Sequence, residues 1–407
     1  MQRRFLFLQG VCSPFFARLS DRLRADGAQV FHVNFNCGDA AYWAPRTSWA
    51  FRENISVLED FLAQKFEAHG LTDVVLFGDR RPVHRPVQAV SVKYGARVHV
   101  FEEGYFRPHW VTLERGGVNK YSSLPRDPQW YREMAVRVPR HRFAPVQTPL
   151  WPRAVHDAAY HLANLGNPLF YPRYRTHAPC IAGLDYAGWA RRFPLLPLHE
   201  RRDAVVTARL VEKQLPFFIL PLQLDSDAQI LENSPFTGMV AVIDFVLRSF
   251  AAHAPGNTHL VIKNHPFDTG FVGYRKRIRR LAEELALAGR VHYMETGDLP
   301  ILVRHAKGVA TVNSTLGTAA LGMGCPVLTM ADPIYNLPGI TAQSGIDRFW
   351  AAPVAPDAAL FEAFRDVVMH GVMINGGFYT RPSIRMAVEG AMRLMLPPRS
   401  PLEELLS

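Results

Sequence analysis

The sequence has little that would suit a secreted, zinc-binding or membrane-spanning protein. Its 407 residues include four cysteines, Cys12, Cys37, Cys180 and Cys325, which lie far apart and form no C-x-x-C pair. This spacing argues against a zinc site and a disulfide framework, and it fits a reducing compartment. No stretch approaches about 18 uninterrupted apolar residues, so the sequence predicts no membrane-spanning helix.

Low-complexity tracts and repeats of fixed length are also missing. The start, MQRRFLFLQGVC, has the look of a secretory leader, but its apolar run covers only Phe5 to Leu8. That run is too short for the apolar region of a signal peptide and is better explained as a first strand. Because 407 residues exceed the size at which one hydrophobic core stops growing, two domains are expected.

Acidic residues are in deficit, and the formal net charge is +10. A positive charge favours anionic partners such as nucleotides, lipid headgroups or nucleic acid. The charge comes mostly from scattered arginine pairs (80–81, 191–192, 201–202) and from one denser run at 274–280. We interpret this run as the solvated face of a helix, with contact to anionic lipid as the alternative. Nucleic acid is not expected as a partner.

The first part of the chain alternates apolar strands with helical patterns. The predicted strands are RFLFLQ, QVFHVNF, DVVLFGD and RVHVFEEG, and the predicted helices cover 13–27, 54–69 and about 85–94. Helices interleaved with fully apolar strands indicate a parallel sheet that is covered on both faces. Residues 125–205 are rich in proline and are predicted to be irregular and to connect two domains, apart from a helix near 154–164.

A second series of strands and helices begins at 215. Its predicted strands are LPFFILPLQ, HLVIKNHP, RVHYM, GVATVN and CPVLTM, and the tail from about residue 356 is predicted as two helical pieces. The sequence thus predicts an α/β protein of GT-B-like class, with two doubly wound, Rossmann-like domains facing a central cleft. We place the N-terminal, acceptor-side domain at 1–205 and the C-terminal, nucleotide-sugar-binding domain at 206–407.

Polar residues follow nearly every predicted strand, where open parallel sheets bind their ligands. In FEEGYFRP, Glu102 and Glu103 follow an apolar strand and should point to opposite sides of it, while Gly104 lets backbone or ligand approach closely. One carboxylate could act as a base or nucleophile at an anomeric carbon, and a helix-capping or solvated pair is the alternative. In FGDRRPVH, Asp79 and His84 flank Arg80 and Arg81, which could anchor a sugar carboxylate or form a surface salt bridge.

The strand ends of the second series also carry candidate ligand contacts. KNHP combines Lys263 with His265, whose imidazole could donate to a phosphate oxygen. In NSTLGTAAL, a strand ends at Asn313, and Ser314 or Thr315 opens a helix whose N-terminus suits a phosphate, with plain N-capping as the compatible alternative. Gln223 is a further cleft candidate. The DSD at 225–227 matches a metal-binding pattern weakly, and we interpret it as loop and helix-start acids.

Taken together, these strings resemble the bacterial capsule polysaccharide biosynthesis and export family, with KpsS/LipB-type β-Kdo transferases as the nearest branch. The resemblance rests on motifs that occur in order from the first strand to about residue 350: FLFLQG with SPFF, VNFNCGD, FGDRRPVH, FEEGYFRP, TLERGGVN, PLQ, KNHP and NSTLGTAALGMGCPV. It implies an enzyme that transfers Kdo from CMP-Kdo to a phosphatidylglycerol-type lipid. The family is also similar to sialyltransferases that place an acidic-acidic-Gly element, an HP element and a Ser/Thr element around CMP.

The resemblance implies specific roles. Glu103 would be the catalytic carboxylate, with Glu102 as the alternative because this chain has Glu where the family's element has Asp. His265 would hold the CMP phosphate and count among the catalytic residues. The donor nucleotide would be bound by Gln223, Lys263, His265, Pro266, Asn313, Ser314 and Thr315, and the sugar or acceptor by Asp79, Arg80, Arg81 and Arg107. No metal and no cofactor besides the CMP-Kdo substrate are expected.

Net retention of the β-linkage is implied, through either a covalent sugar–carboxylate intermediate or front-face substitution. The expected partners are a CMP-activated sugar, an anionic lipid acceptor, and a partner transferase or the export machinery at the inner membrane. The chain would lie in the cytoplasm, either free or peripheral on the inner face of that membrane. Two rival functions remain open: a non-catalytic export or assembly protein that binds nucleotide or glycan, and a basic nucleic-acid-binding protein.

Overall fold

The computed structural model describes residues 2–140, 144–146, 149–175, 182–225 and 228–407, with backbone alone at 182–186 and 228–229. The chain forms two compact units. The first unit consists of Met1–Pro125, Met134–His177 and Arg365–Ser407, and the second consists of Arg126–Glu133 and Ala178–Phe364. None of the described helices is long and apolar enough to cross a lipid bilayer.

The strands are, in chain order, Arg4–Phe7 (β1), Gln29–Asn34 (β2), Trp49–Ala50 (β3), Asp73–Phe77 (β4), Arg97–Glu103 (β5), Trp110–Arg115 (β6), Phe217–Pro221 (β7), His259–Lys263 (β8), Val291–Met294 (β9), Gly308–Thr311 (β10), Val327–Thr329 (β11) and Met373–Asn375 (β12).

The α-helices are Phe15–Ala25 (α1), Cys37–Trp43 (α2), Leu58–His69 (α3), Val87–Tyr94 (α4), Pro128–Ala135 (α5), Leu150–Ala163 (α6), Asn167–Phe170 (α7), Ala182–Arg192 (α8), Leu196–Glu212 (α9), Ala228–Leu231 (α10), Met239–His253 (α11), Tyr274–Glu284 (α12), Leu299–His305 (α13), Leu316–Gly322 (α14), Ile346–Ala351 (α15), Ala358–Val372 (α16), Arg381–Met395 (α17) and Pro401–Leu405 (α18).

The first unit is built on a seven-stranded sheet with the order β12-β6-β5-β4-β1-β2-β3. The five neighbouring strands β5, β4, β1, β2 and β3 are parallel. Strand β6 pairs antiparallel with β5, and β12 pairs antiparallel with β6. Alternate residues of β1 enter different cores, because successive strand side chains point to opposite faces. Phe5 and Phe7 pack with residues of α1 and α17, and Leu6 packs with residues of α3 and α4.

The second unit is built on a five-stranded sheet with the order β11-β10-β7-β8-β9, in which every pairing is parallel. Its core joins β-strand residues such as Ile262 to apolar side chains of α11, α12 and α15, including Phe250, Ile278 and Trp350. Both units therefore have a parallel sheet covered by helices, which confirms the predicted α/β class with two Rossmann-like domains.

The division of the chain differs from the boundary predicted between residues 205 and 206. Residues 365–407 belong to the first unit because β12 pairs with β6 and because Arg115 donates hydrogen bonds to carbonyl oxygens at the end of α17. Residues 126–133 and 178–205 belong to the second unit. The region predicted to be irregular is largely helical where it is described, and the predicted helix near 154–164 corresponds to α6.

Candidate functional site

Both sheets have the strand order 3-2-1-4-5 when their parallel strands are numbered along the chain. In such sheets a crevice opens beyond the strand ends at the point where the order reverses. This point lies between β7 and β10 in the second unit. There Gln223 and Asn313 meet, since the Gln223 side-chain amide donates to Asn313 Oδ1 at 3.0 Å and its oxygen accepts from the Asn313 backbone at 3.4 Å. The structure thus joins two of the predicted nucleotide-binding residues.

Ser314 and Thr315 lead into α14, as the sequence predicts. Ser314 Oγ accepts from the Leu316 backbone N–H at 3.2 Å, and the Tyr335 hydroxyl donates to the Ser314 carbonyl oxygen at 2.6 Å. A Cβ atom on Gly317 would lie 2.4 Å from the Tyr335 hydroxyl oxygen, which explains the glycine. Tyr335 therefore fixes this loop, although no sequence pattern identified it because it lies in a separate segment.

The HP loop after β8 holds the His265 ring in one orientation. The Phe267 backbone N–H donates to His265 Nδ1 at 3.1 Å, so the proton of a neutral ring lies on Nε2. The His265 backbone N–H donates to the side-chain oxygen of Asn264 at 2.9 Å. His265 is half-buried and Pro266 is exposed. Such a ring can donate to an anionic oxygen through Nε2.

A buried arginine supports the same loop. Arg192, which is 7% exposed, donates to the carbonyl oxygens of Pro266 at 2.8 Å and Asp268 at 2.6 Å, and it pairs with Glu295 at 3.1 Å. The sequence predicts the 191–192 pair to be scattered, solvated charge, and this prediction is wrong for Arg192. Its partners lie more than seventy residues away along the chain, and no local pattern could connect them.

Lys263 is bound inside the protein. Its Nζ atom donates to the carbonyl oxygens of Asn264 at 3.0 Å and Glu295 at 3.4 Å, and the residue is 5% exposed. Burial, followed by the nearby Arg192 charge, lowers the pKa of this ammonium group. These contacts make Lys263 a support for the β8 and β9 loops, and its direct contact with a nucleotide stays a prediction.

In the first unit, Glu102 and Glu103 point to opposite sides of β5, as strand alternation requires. Glu102 Oε2 lies 3.4 Å from the position of a Cβ on Gly78, and Glu102 Oε1 accepts from the Glu103 backbone N–H at 2.9 Å. Burial raises the pKa of Glu102 to about 7, and Arg81 and Arg107 oppose that rise. Glu102 therefore lies at the β4 strand end, where burial favours its protonated form.

Glu103 lines a cavity of about 220 Å³. Arg153, from α6, places Nη1 3.4 Å from Glu103 Oε1, and its guanidinium packs over the Tyr379 ring at 5.2 Å. The predicted acceptor residue Arg107 lines the same cavity, together with apolar walls that include Trp110. A carboxylate beside two arginines in a partly apolar cavity can act on an anionic substrate.

Asp79, Arg80 and Arg81 make contacts within the first unit. Arg81 Nη1 donates to Gln9 Oε1 at 3.3 Å and to the Gly10 carbonyl oxygen at 2.8 Å, which ties the ends of β1 and β4 together. The Arg80 guanidinium lies 3.5 Å from the centre of the Tyr121 ring, and Asp79 accepts from the Val118 backbone at 3.4 Å. Their predicted contact with a sugar or acceptor stays a prediction.

A buried polar cluster beside Gln9 was absent from the predicted site. The Tyr160 hydroxyl and the Gln9 amide donate to Asp39 at 2.9 and 3.2 Å, and burial raises the pKa of Asp39 to about 6. Asp39 and Gln9 stand in motifs that carry the family resemblance. Tyr160 lies on α6, more than a hundred residues away along the chain, so the cluster could be found only from the fold.

Of the DSD tripeptide, only Asp225 is among the described residues. Its carboxylate accepts from the Met239 backbone N–H at 2.7 Å, at the start of α11, which fits the interpretation as a helix-start acid. Within the described parts of the chain, no group of three or more His, Cys, Asp or Glu side chains could hold a metal ion.

Replacing Glu102 with Gln is expected to weaken the pH dependence of stability. The folded-state pKa of about 7 lies above the ordinary value of 4.5, so the folded protein binds more protons and its free energy of unfolding falls as pH rises through this range. Between pH 5 and pH 8, the free energy of unfolding of Glu102→Gln should therefore fall by about 2 kcal/mol less than that of the wild type, as measured by urea denaturation. The exposed Glu67→Gln variant should behave like the wild type. An unchanged pH dependence in Glu102→Gln would contradict the assignment.

A family model described as "Capsule polysaccharide biosynthesis protein" matches residues 72–379. The chain belongs to this family. The capsule polysaccharide modification protein LipB of Neisseria meningitidis serogroup B is 36% identical over 384 residues, covering 92% of this chain and 91% of LipB. The capsule polysaccharide export protein KpsS of Escherichia coli is 33% identical over 378 residues, covering 93% of this chain and 97% of KpsS.

Among solved structures, the beta Kdo 2,7 transferase KpsC of Thermosulfurimonas dismutans is similar with a TM-score of 0.45 and 15% sequence identity. The similarity covers 97% of this chain and 99% of the KpsC chain.

The candidate residues of this family member form two groups. Glu102 and Glu103 lie with Asp79, Arg80, Arg81 and Arg107 in the first unit, and Gln223, Lys263, His265, Pro266, Asn313, Ser314 and Thr315 lie in the second. Within the second unit, these residues follow β7, β8 and β10, which are neighbours in the sheet. Each group occupies the carboxyl edge of its own sheet, where Rossmann-like domains bind ligands.

Proposed function

We propose that this chain is a metal-independent, retaining glycosyltransferase that moves Kdo from CMP-Kdo to a phosphatidylglycerol-type lipid in capsule linker synthesis. The observation that carries the proposal is the position of Glu103 in a cavity beside Arg107 and Arg153. Family membership and the similarity to LipB and KpsS support a role in capsule polysaccharide modification or export. The donor and acceptor are those that the motif resemblance implies.

The second unit supplies the groups that would hold the nucleotide. His265 carries its neutral-ring proton on Nε2, and Gln223 and Asn313 meet at the point where the strand order reverses. We assign the CMP phosphate to His265 and to the Ser314–Thr315 turn. Donation from these groups would stabilise the negative charge that develops on the phosphate as it leaves the sugar.

The first unit supplies the carboxylate. In a two-step reaction, Glu103 attacks the anomeric carbon, and the bond from that carbon to the phosphate oxygen breaks, releasing CMP. An acceptor hydroxyl then attacks the same carbon and displaces Glu103, and the hydroxyl proton passes to the released Glu103 carboxylate, so that the configuration is retained. Arg153, whose Nη1 lies 3.4 Å from Glu103 Oε1, orients this carboxylate before attack. The proposal requires the residues of both units to reach one CMP-sugar molecule.

The direct experiment is to incubate the purified chain with CMP-Kdo and a detergent-dissolved phosphatidylglycerol, and to follow lipid mass by mass spectrometry. We expect one Kdo residue or more to be added to the lipid. Binding of CMP without any transfer would contradict the proposal and favour a non-catalytic capsule assembly protein.

Replacement of His265 with Ala is expected to reduce transfer by about a hundredfold and to weaken CMP binding, because the leaving phosphate loses a donor. The matched control is His305→Ala, which removes an exposed histidine of the same unit and should leave transfer unchanged. Initial rates and CMP titration by calorimetry provide the measurements. Equal activity of the two variants would exclude His265 from the nucleotide site.

A further inference from the structure

The segment from α6 to α7 exposes an unusual number of large apolar side chains. Trp151 is 69% exposed and Leu169 is 79% exposed, and Val155, Leu162 and Leu165 are also more than half exposed. We call these five residues the α6–α7 stripe. Soluble proteins rarely expose a continuous apolar patch unless it contacts a partner or a membrane.

The members of the stripe on α6 follow the helical period. At 100° per residue, Trp151, Val155 and Leu162 fall within about 40° of arc. A 3₁₀ turn at Asn164–Gly166 carries Leu165 and leads into α7, which carries Leu169. The other side of α6 is packed in the first unit: Pro152 and Tyr160 are buried, and Tyr160 donates to Asp39. The helix is thus anchored by one face, and the opposite face presents the stripe to solvent.

The surroundings of the stripe are positively charged. Asp157 is the only acidic residue from 150 to 175. The exposed Arg175 follows α7, as does Arg173, which pairs with Glu53. A cavity of about 450 Å³ next to α6 is lined by Arg18, Arg381 and Arg385 together with His156 of α6, and no acidic side chain is among the described residues that line it. An apolar stripe with arginines around it suits an anionic lipid surface.

The stripe also adjoins the cavity that holds Glu103. Leu150 begins α6, is 62% exposed and lines that cavity, directly before Trp151 of the stripe. Tyr379 lines both the Glu103 cavity and the arginine-lined cavity. The apolar surface, the arginines and the carboxylate are therefore continuous within the first unit.

We propose that the α6–α7 stripe inserts into the interface of an anionic phospholipid bilayer, while Arg18, Arg381 and Arg385 bind headgroup phosphates. This surface differs from the basic run on α12, where Arg275, Arg279 and Arg280 form ion pairs with glutamates. The docking proposal itself rests on the exposure of the stripe, on its helical spacing along α6 and on the arginines beside it. Only its role in bringing a lipid acceptor to Glu103 rests on the proposed function.

Vesicle flotation tests the proposal with the full chain. The wild type should float with vesicles of phosphatidylglycerol and phosphatidylcholine and remain unbound with phosphatidylcholine alone. The variant Trp151→Ser/Leu162→Ser/Leu169→Ser should lose at least about tenfold in bound fraction. The matched control is Val92→Ser/Val136→Ser/Val354→Ser, which removes apolar side chains that are at least as exposed elsewhere and should float like the wild type.

A second variant, Arg381→Gln/Arg385→Gln, should lower the bound fraction and its sensitivity to salt, because headgroup contacts are lost. Flotation of the stripe variant at the wild-type level would overturn the proposal, as would equal loss in the valine control or equal wild-type binding to both vesicle types. A stripe variant that turns a dimer into a monomer, with no vesicle binding by the wild type, would assign the stripe to a second copy of this chain.

The same variants separate docking from the proposed function. With lipid dissolved in detergent, the stripe variant should transfer Kdo at the wild-type rate, because no bilayer has to be reached. Stripe-dependent flotation without transfer by any variant would leave the docking surface in place and remove the transferase assignment.

Discussion

Glu103→Gln is expected to lower the rate of Kdo transfer by at least about a thousandfold while CMP binding stays unchanged, because an amide cannot attack the anomeric carbon. The substitution keeps the size of the side chain in the cavity of about 220 Å³ and removes only its charge. Single-turnover rates and CMP titration by calorimetry measure the two quantities separately.

Glu102→Gln is the matched control, since it changes the neighbouring acid on the other side of β5. Glu102 lies beside Gly78 and shares no wall with the Glu103 cavity, so this variant should keep most of the activity. The opposite result, with near-normal transfer by Glu103→Gln and none by Glu102→Gln, would show that Glu102 is the catalytic acid.

Gly104→Ala is expected to destabilise the protein by about 3 kcal/mol or more, because a methyl group cannot be placed against main-chain atoms. A Cβ atom at this position would lie 2.0 Å from the Trp110 carbonyl oxygen, where β6 starts beside β5. The glycine of the acidic-acidic-Gly element thus permits close approach of the backbone, one of the two options that its sequence position allowed.

Denaturant titration measures this effect. The control Gly256→Ala should be nearly neutral, since a Cβ there meets no atom within 4 Å and the residue is exposed. If Gly104→Ala unfolds at the wild-type denaturant concentration, the main chain at Gly104 cannot lie against the Trp110 carbonyl oxygen.

The alternation of strands and helices was predictable because both sheets are mainly parallel, and their buried strands are short, continuous apolar runs. Strands β6 and β12 were not predicted because they are antiparallel and lie outside the alternation of parallel strands and helices. In addition, β12 has only three residues. The prolines of the region 125–205 led to the wrong prediction that this region is irregular. Pro128 begins α5 and Pro149 is the N-cap of α6, so these residues start helices instead of excluding them.

Candidate residues could be found from the sequence where they end a strand, as Glu103 does, or follow one closely, as His265 and Ser314 do. Arg153 and Arg192 were not, because each reaches the site from a helix far away along the chain. A side chain that acts through tertiary contact leaves no local spacing to detect. This explains why the motifs pointed to candidate residues at strand ends and missed the arginines that contact Glu103 and the HP loop.

The return of residues 365–407 to the first unit has a consequence for biosynthesis. A growing chain cannot complete this unit until residues 373–395 have left the ribosome, since β12 covers the edge of β6 and α17 covers α1. Until then, an unpaired strand edge and an apolar helix face are open to other chains. A premature stop near residue 365 would therefore yield an aggregating product, even though every site residue predicted from the sequence, the last of which is Thr315, would be intact.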